Sequence, residues 1–213
     1  MTDPARSASK RPKKTSPTAH HQRALNLALV GVDAAAVRSR PTDMAHCLAE
    51  VARCLMRLHD LRSADAFLAR AIAWAGLIPS DAGQAARADL ICLQADLACQ
   101  AADRHDQQLD AAAEAGDDEL PAAPEPRADR ERARELALEA AMLAGRGADA
   151  MWEVKLLLRA SDVLERCGEH DDAAAIQNRA MALMGLMQAE PSTVPSIPPS
   201  RDAMRVAGPS ALM

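Results

Sequence analysis

The chain has 213 residues and a net charge of −5, enough for one substantial domain or two small ones. Alanine makes up nearly a quarter of it, tyrosine is absent, and Phe67, Trp74 and Trp152 are the only aromatic residues. Alanine has the best helix propensity and runs of Val, Ile, Thr and Tyr are missing, so strands are excluded and an all-α fold is expected.

Residues 1–18 are rich in Ser, Pro, Thr, Lys and Arg, with Lys10-Arg11-Pro12-Lys13-Lys14 at their centre, and read as a disordered basic leader. Leu25–Val32 then gives a short apolar run. It is too short for a transmembrane helix, contains Asn26, and is ended by Asp33, so it makes a poor signal peptide. Residues 4–32 lack acids, which leaves a transit peptide as a weaker alternative. A first helix is expected over about 20–37, ended by Arg40-Pro41. Thr42-Asp43 should cap a helix over 44–59, and Ser63 one over 64–76 that stops at Gly76 and Pro79. Ser80-Asp81 should open a long helix over 82–113. An acidic, proline-interrupted loop follows over 114–127, then helices over 128–145, 149–167 and 170–188. Residues 191–213 carry five prolines and read as a second disordered tail.

Three segments share one spacing: Ala64-Phe67-Ala71, Ala133-Leu136-Ala140 and Ala173-Ile176-Ala180. Alone this means little in so alanine-rich a chain. However, residues 57–74 lie over 166–183 without a gap, matching Arg57 to Arg166, Asp60 to Glu169 and Arg70 to Arg179. Upstream, Leu48, Ala52 and Leu55 match Leu157, Ser161 and Leu164, which is one apolar stripe on a helix. Each unit is therefore expected to be an αα-hairpin, over about 44–76, 82–145 and 149–188 within a helical domain spanning 19–190.

On these residues the chain resembles the tetratricopeptide repeat family. Cys167-Gly168-Glu169-His170-Asp171-Asp172-Ala173 is close to that family's turn; His59-Asp60-Leu61-Arg62-Ser63-Ala64 keeps the acid and alanine but lacks the glycine. The resemblance implies an α-solenoid of stacked antiparallel hairpins with an N-terminal capping helix. It also implies a concave groove lined by the first helix of each hairpin. Spacing then nominates His46, Ala49, Arg53 and Met56 in the first unit, and Lys155, Leu158, Asp162 and Glu165 in the last. Asp89, Cys92, Asp96 and Cys99 are the middle set.

Cys47/Cys54 and Cys92/Cys99 each place two thiols on one helix face about 10 Å apart, too far to chelate one zinc ion as a pair. Five cysteines on helices do not form a disulfide framework; they read as small hydrophobes in a reducing, cytoplasmic setting. Met181, Met184 and Met187 read as an adaptable apolar face rather than a soft-metal site. No His-Glu-x-x-His, Gly-x-Ser-x-Gly or phosphate-loop pattern is present, and no cofactor is implied. Arginine in excess over lysine, together with the alanine, resembles a GC-rich bacterial coding sequence.

The expectation is thus a non-catalytic module binding a protein or peptide partner. A secretion chaperone or assembly factor is the first alternative. A nucleic-acid-associated regulator using the basic leader is the second, disfavoured by the scarcity of stacking aromatics.

Overall fold

A computed structural model describes residues 17–79, 81–115, 126–146 and 149–189. Among them are seven helices and no strand: α1 (Pro17–Arg38), α2 (Pro41–Arg57), α3 (Leu61–Ala75), α4 (Asp81–Ala115), α5 (Pro126–Ala144), α6 (Ala150–Arg166) and α7 (His170–Ala189). The basic leader before residue 17, most of the acidic loop and the proline-rich tail lie outside the described residues.

The helix ends show which local signals won. Pro41, read as a breaker, is instead the first residue of α2, where a missing N–H costs nothing. Arg40 is extended, as the residue before proline must be, and takes the cap position without a side-chain bond. Thr42 and Asp43 therefore lie inside the first turn rather than capping it. Asp43 still favours the helix N-terminus and faces Arg38 at 3.8 Å. Asp60, not Ser63, caps α3: its carboxylate accepts from the Ser63 N–H at 3.2 Å. Asp149 caps α6 in the same way, through the Met151 N–H at 2.9 Å.

The gapless overlay of the first and last hairpins is realised bond for bond. The Asp60 N–H donates to the Leu55 carbonyl at 3.0 Å, and the Glu169 N–H to Leu164 at 2.9 Å. The His59 and Gly168 N–H groups donate to Met56 and Glu165, and those of Ala64 and Ala173 to Asp60 and Glu169. The six-residue closure is the Schellman turn, which needs one left-handed residue. That residue is Gly168 at φ 84° in the last hairpin and His59 at φ 61° in the first.

All six alanines of the shared spacing are buried, as are Ala52 and Ser161 where the first helices cross the second. Small side chains at the crossings let the helix backbones approach closely. Phe67, Leu136 and Ile176, the larger residues between the alanines, are half-buried and pack on the rims of two cores. One core joins α1, α2, α3 and α4; the other joins α4, α5, α6 and α7. Helix α4 belongs to both: Leu90, Leu93 and Leu97 enter the first, while Ala88, Ile91, Cys92, Ala95 and Cys99 enter the second. The middle of α4 is therefore buried on two sides, between the two cores.

Each hairpin packs within itself, α2 on α3, α4 on α5 and α6 on α7, and α1 covers α2 as the terminal helix. Between hairpins, α3 meets α4 and α5 meets α6. The first helices also touch one another, α2 with α4 and α4 with α6, more closely than the second helices do. The chain is an all-α stack of helical hairpins whose α2–α4–α6 row forms the shorter, inner side.

Candidate functional site: the inner face of the helix row

The inner face is organised by one stripe on α4. Asp89, Cys92, Asp96, Cys99, Asp103 and Asp106 recur at alternating steps of three and four, which keeps them on one side of the helix. Neighbouring helices answer with arginines. Arg53 of α2 bonds Glu50 at 2.5 Å and reaches Asp89 at 3.5 Å. Arg159 of α6 bonds the same Asp89 from the other side. Arg166 bridges Asp96 at 2.6 Å and Asp103 at 2.8 Å. Arg130 of α5 bonds Asp106. Burial works against the charge on Arg166, but its two carboxylate partners outweigh that and raise its pKa. Singly, pairs this exposed contribute about 0–1 kcal/mol each. As a ladder they fix the spacing of α2, α4 and α6.

Two clefts open between the rungs. The first, about 190 Å³, lies between α2 and α4 and is lined by His46, Ala49, Arg53 and Asp89, with Ile78 and Leu90 beneath. The second, about 320 Å³, lies between α4 and α6 and is lined by Cys92, Asp96, Leu158, Arg159, Asp162 and Val163. Cys92 forms part of its floor; burial pushes its thiol up to about 11, past the opposing pull of Arg159.

The nominated residues divide accordingly. His46, Arg53 and Asp89 meet in the first cleft, and Asp96, Leu158 and Asp162 in the second. Lys155 and Glu165 are exposed on α6 but line neither cleft. Met56 is not on the groove surface: it is buried in the first core, because α2 is enclosed by α1, α3 and α4. Ala49, Cys92 and Cys99 are likewise buried. Arg159 and Arg166, which hold the α4 acids, were not among the nominated residues. Their spacing on α6 matches the spacing of the α4 stripe, but only the fold brings the two helices together.

Two further cavities lie away from this row. One of about 420 Å³ sits beside the first hairpin turn, near His59, Gln100 and Arg104; Arg104 donates to the His59 carbonyl at 2.6 Å. Another of about 640 Å³ opens between α4, α5 and the α6–α7 turn, with Arg127, Arg130, Arg134 and Cys167 among its walls.

No protein-family description and no curated protein matches this chain. Among solved structures, the crystal structure of BtubC (BKLC) from P. vanneervenii is similar over 91% of this chain and 97% of that one. Identity is 15% and the TM-score is 0.27, a likeness too slight to carry an argument. What the coordinates themselves define is an all-α stack of hairpins, and among the described residues no helix is long and apolar enough to cross a membrane.

Proposed function

We propose that this chain is a non-catalytic interaction module, built of divergent tetratricopeptide-type hairpins, that binds a partner peptide or helix along the α2–α4–α6 face. The observation that carries the reading is the pair of clefts on that row. Each combines an apolar floor with charged groups at the rim, the arrangement that lets a peptide seat a side chain and fix its register. The half-exposed Leu158 offers the apolar contact, and Asp162 carries no ion pair among the described residues. A partner segment with an apolar residue beside a basic one fits the second cleft by size and charge. The setting we propose is reducing and cytoplasmic, where cysteines are kept as thiols.

The test is affinity capture by the intact chain and by variants that alter the clefts without breaking the ladder. Leu158→Asp, Asp162→Lys and His46→Glu meet that condition. Arg53 does not, since reversing it would set it against both Glu50 and Asp89. Capture unchanged by all three variants would sink the reading.

A second reading, a secretion chaperone or assembly factor, draws on a different observation. Leu27, Val30 and Val37 form an exposed apolar stripe on the outer side of α1, at helical steps of three and seven. An apolar client held there would be released by Val30→Glu and be indifferent to Leu158→Asp.

A further inference from the structure

The sequence treats the five cysteines alike, as filler. The structure separates two of them. Cys167 follows the last residue of α6 and takes its C-cap position. Its neighbour Arg166 clasps Asp96 and Asp103 of α4, which stand one turn before and one turn after Cys99. That clasp sets Cys167 against the core cluster to which Cys99 belongs, with the two thiols near enough to shift each other's titration. The two differ in access. Cys99 has no exposed surface, whereas Cys167 is half-buried and forms part of the wall of the 640 Å³ cavity. Around Cys167 that cavity presents Arg127, Arg130 and Arg134, with Asp106, Glu131 and Glu169 among them.

We propose that Cys167 is a peroxide-reactive thiol and Cys99 its resolving partner, so that a small hydroperoxide converts the pair into a disulfide joining α4 to the α6–α7 turn. The cavity admits a molecule the size of hydrogen peroxide to Cys167 and not to Cys99. The neighbouring Cys99 thiol lowers the pKa of Cys167, helped by Arg130 and Arg166 and opposed by burial and by Asp103. The same pairing, with burial, raises that of Cys99, which holds its proton until it is needed. The thiolate is the nucleophile in such chemistry.

The chemistry balances in two steps. The Cys167 thiolate attacks one peroxide oxygen, the O–O bond breaks, and the departing hydroxide takes a proton to become water; Cys167 is left as a sulfenic acid. Cys99 then attacks the Cys167 sulfur. The S–O bond breaks, and the hydroxide leaves as water with the Cys99 proton. Two thiols and one peroxide become one disulfide and two waters.

The other cysteines supply the controls. Cys54 and Cys92 are buried. Cys47 is half-buried like Cys167, but it lies under α1, where a Cβ on Gly31 would stand 3.5 Å from its sulfur. The experiment treats the reduced, full-length chain with stoichiometric hydrogen peroxide, blocks remaining thiols, and maps the products by mass spectrometry. The expected product is about 2 Da lighter and cross-linked between Cys99 and Cys167. Cys99→Ala should accumulate a sulfenic acid on Cys167 that dimedone captures, and Cys167→Ser should remain unoxidised at the same dose. Should Cys99→Ala fail to fold, the unaltered chain still decides. Brief peroxide exposure with dimedone present should label Cys167 about tenfold faster than Cys47. Equal labelling of the two, or labelling of Cys167 with no cross-link to Cys99 once dimedone is omitted, would overturn the proposal.

Discussion

The two outer hairpins turn through the same hydrogen bonds, but one uses glycine and the other histidine at the left-handed position, and this sets up a paired substitution. Gly168 sits at φ 84°, and a Cβ built there would meet nothing within 4 Å. The cost of Gly168→Ala is therefore conformational, not steric. A left-handed conformation costs an L-residue roughly 1–2 kcal/mol. The loss of unfolded-state freedom on replacing glycine returns about 0.4–1 kcal/mol. The net destabilisation should be about 1 kcal/mol, which in a chain of this length lowers Tm by about 2–4 °C. His59→Gly is the inverse experiment. It removes the strain at φ 61° and retains the backbone carbonyl that receives Arg104. Histidine visits this region more readily than most residues, so the gain is smaller, about 0.5 kcal/mol. Urea unfolding followed by circular dichroism reads both changes as shifts in midpoint at constant slope. A neutral Gly168→Ala together with a destabilising His59→Gly would mean that the hairpins do not share this turn.

Three further outcomes are expected. Ala71→Leu, at a fully buried crossing of α3 on α2, should overpack the first core and cost about 1–3 kcal/mol, while Ala174→Leu on the exposed side of α7 should be nearly neutral; thermal melts of the two variants distinguish close packing from simple apolar content. Gly83→Ala would drive a Cβ into the Ile78 carbonyl oxygen, so the start of α4 must shift and Tm should fall; an unchanged Tm would deny that close approach. Cys92 titrates near 11 in the fold against 9.0 unperturbed, so the native state keeps a proton that the unfolded chain has released, and stability should decline as pH rises from 9 toward 11. Cys92→Ala should flatten that decline in urea midpoints measured across this range.

The hairpins were legible in the sequence because they rest on local periodicity. Alanines seven apart, with a larger apolar residue between, specify which face of α3, α5 and α7 is buried, and all six proved to be core. The turn register was legible because Asp60 and Glu169, or Ala64 and Ala173, occupy equivalent hydrogen-bonding positions. Helix starts were less legible: Pro41 can end one helix or begin the next, and only the extended Arg40 decides between them. The inner face was half legible. Spacing alone placed Asp89, Cys92, Asp96 and Cys99 on one side of α4. It could not show that Arg53, Arg159 and Arg166 consume those carboxylates, because the α6 arginines bond residues 63 and 70 positions away. Met56 was misplaced for a related reason. A helix with partners on several sides has no single polar face for spacing to reveal, and α1 and α4 close over the side of α2 that its own hairpin leaves open.

The central claim is that the α2–α4–α6 face receives the partner. The most direct measurement is the Kd of a captured partner's binding segment, by calorimetry, for the intact chain, for Leu158→Asp in the second cleft, and for Ala174→Asp on the exposed side of α7. An inner-face site predicts at least a tenfold loss, about 1.4 kcal/mol, for Leu158→Asp and no change for Ala174→Asp. The opposite pattern, with Ala174→Asp weakening the complex and Leu158→Asp leaving it intact, would place the binding surface on the second helices and contradict the account.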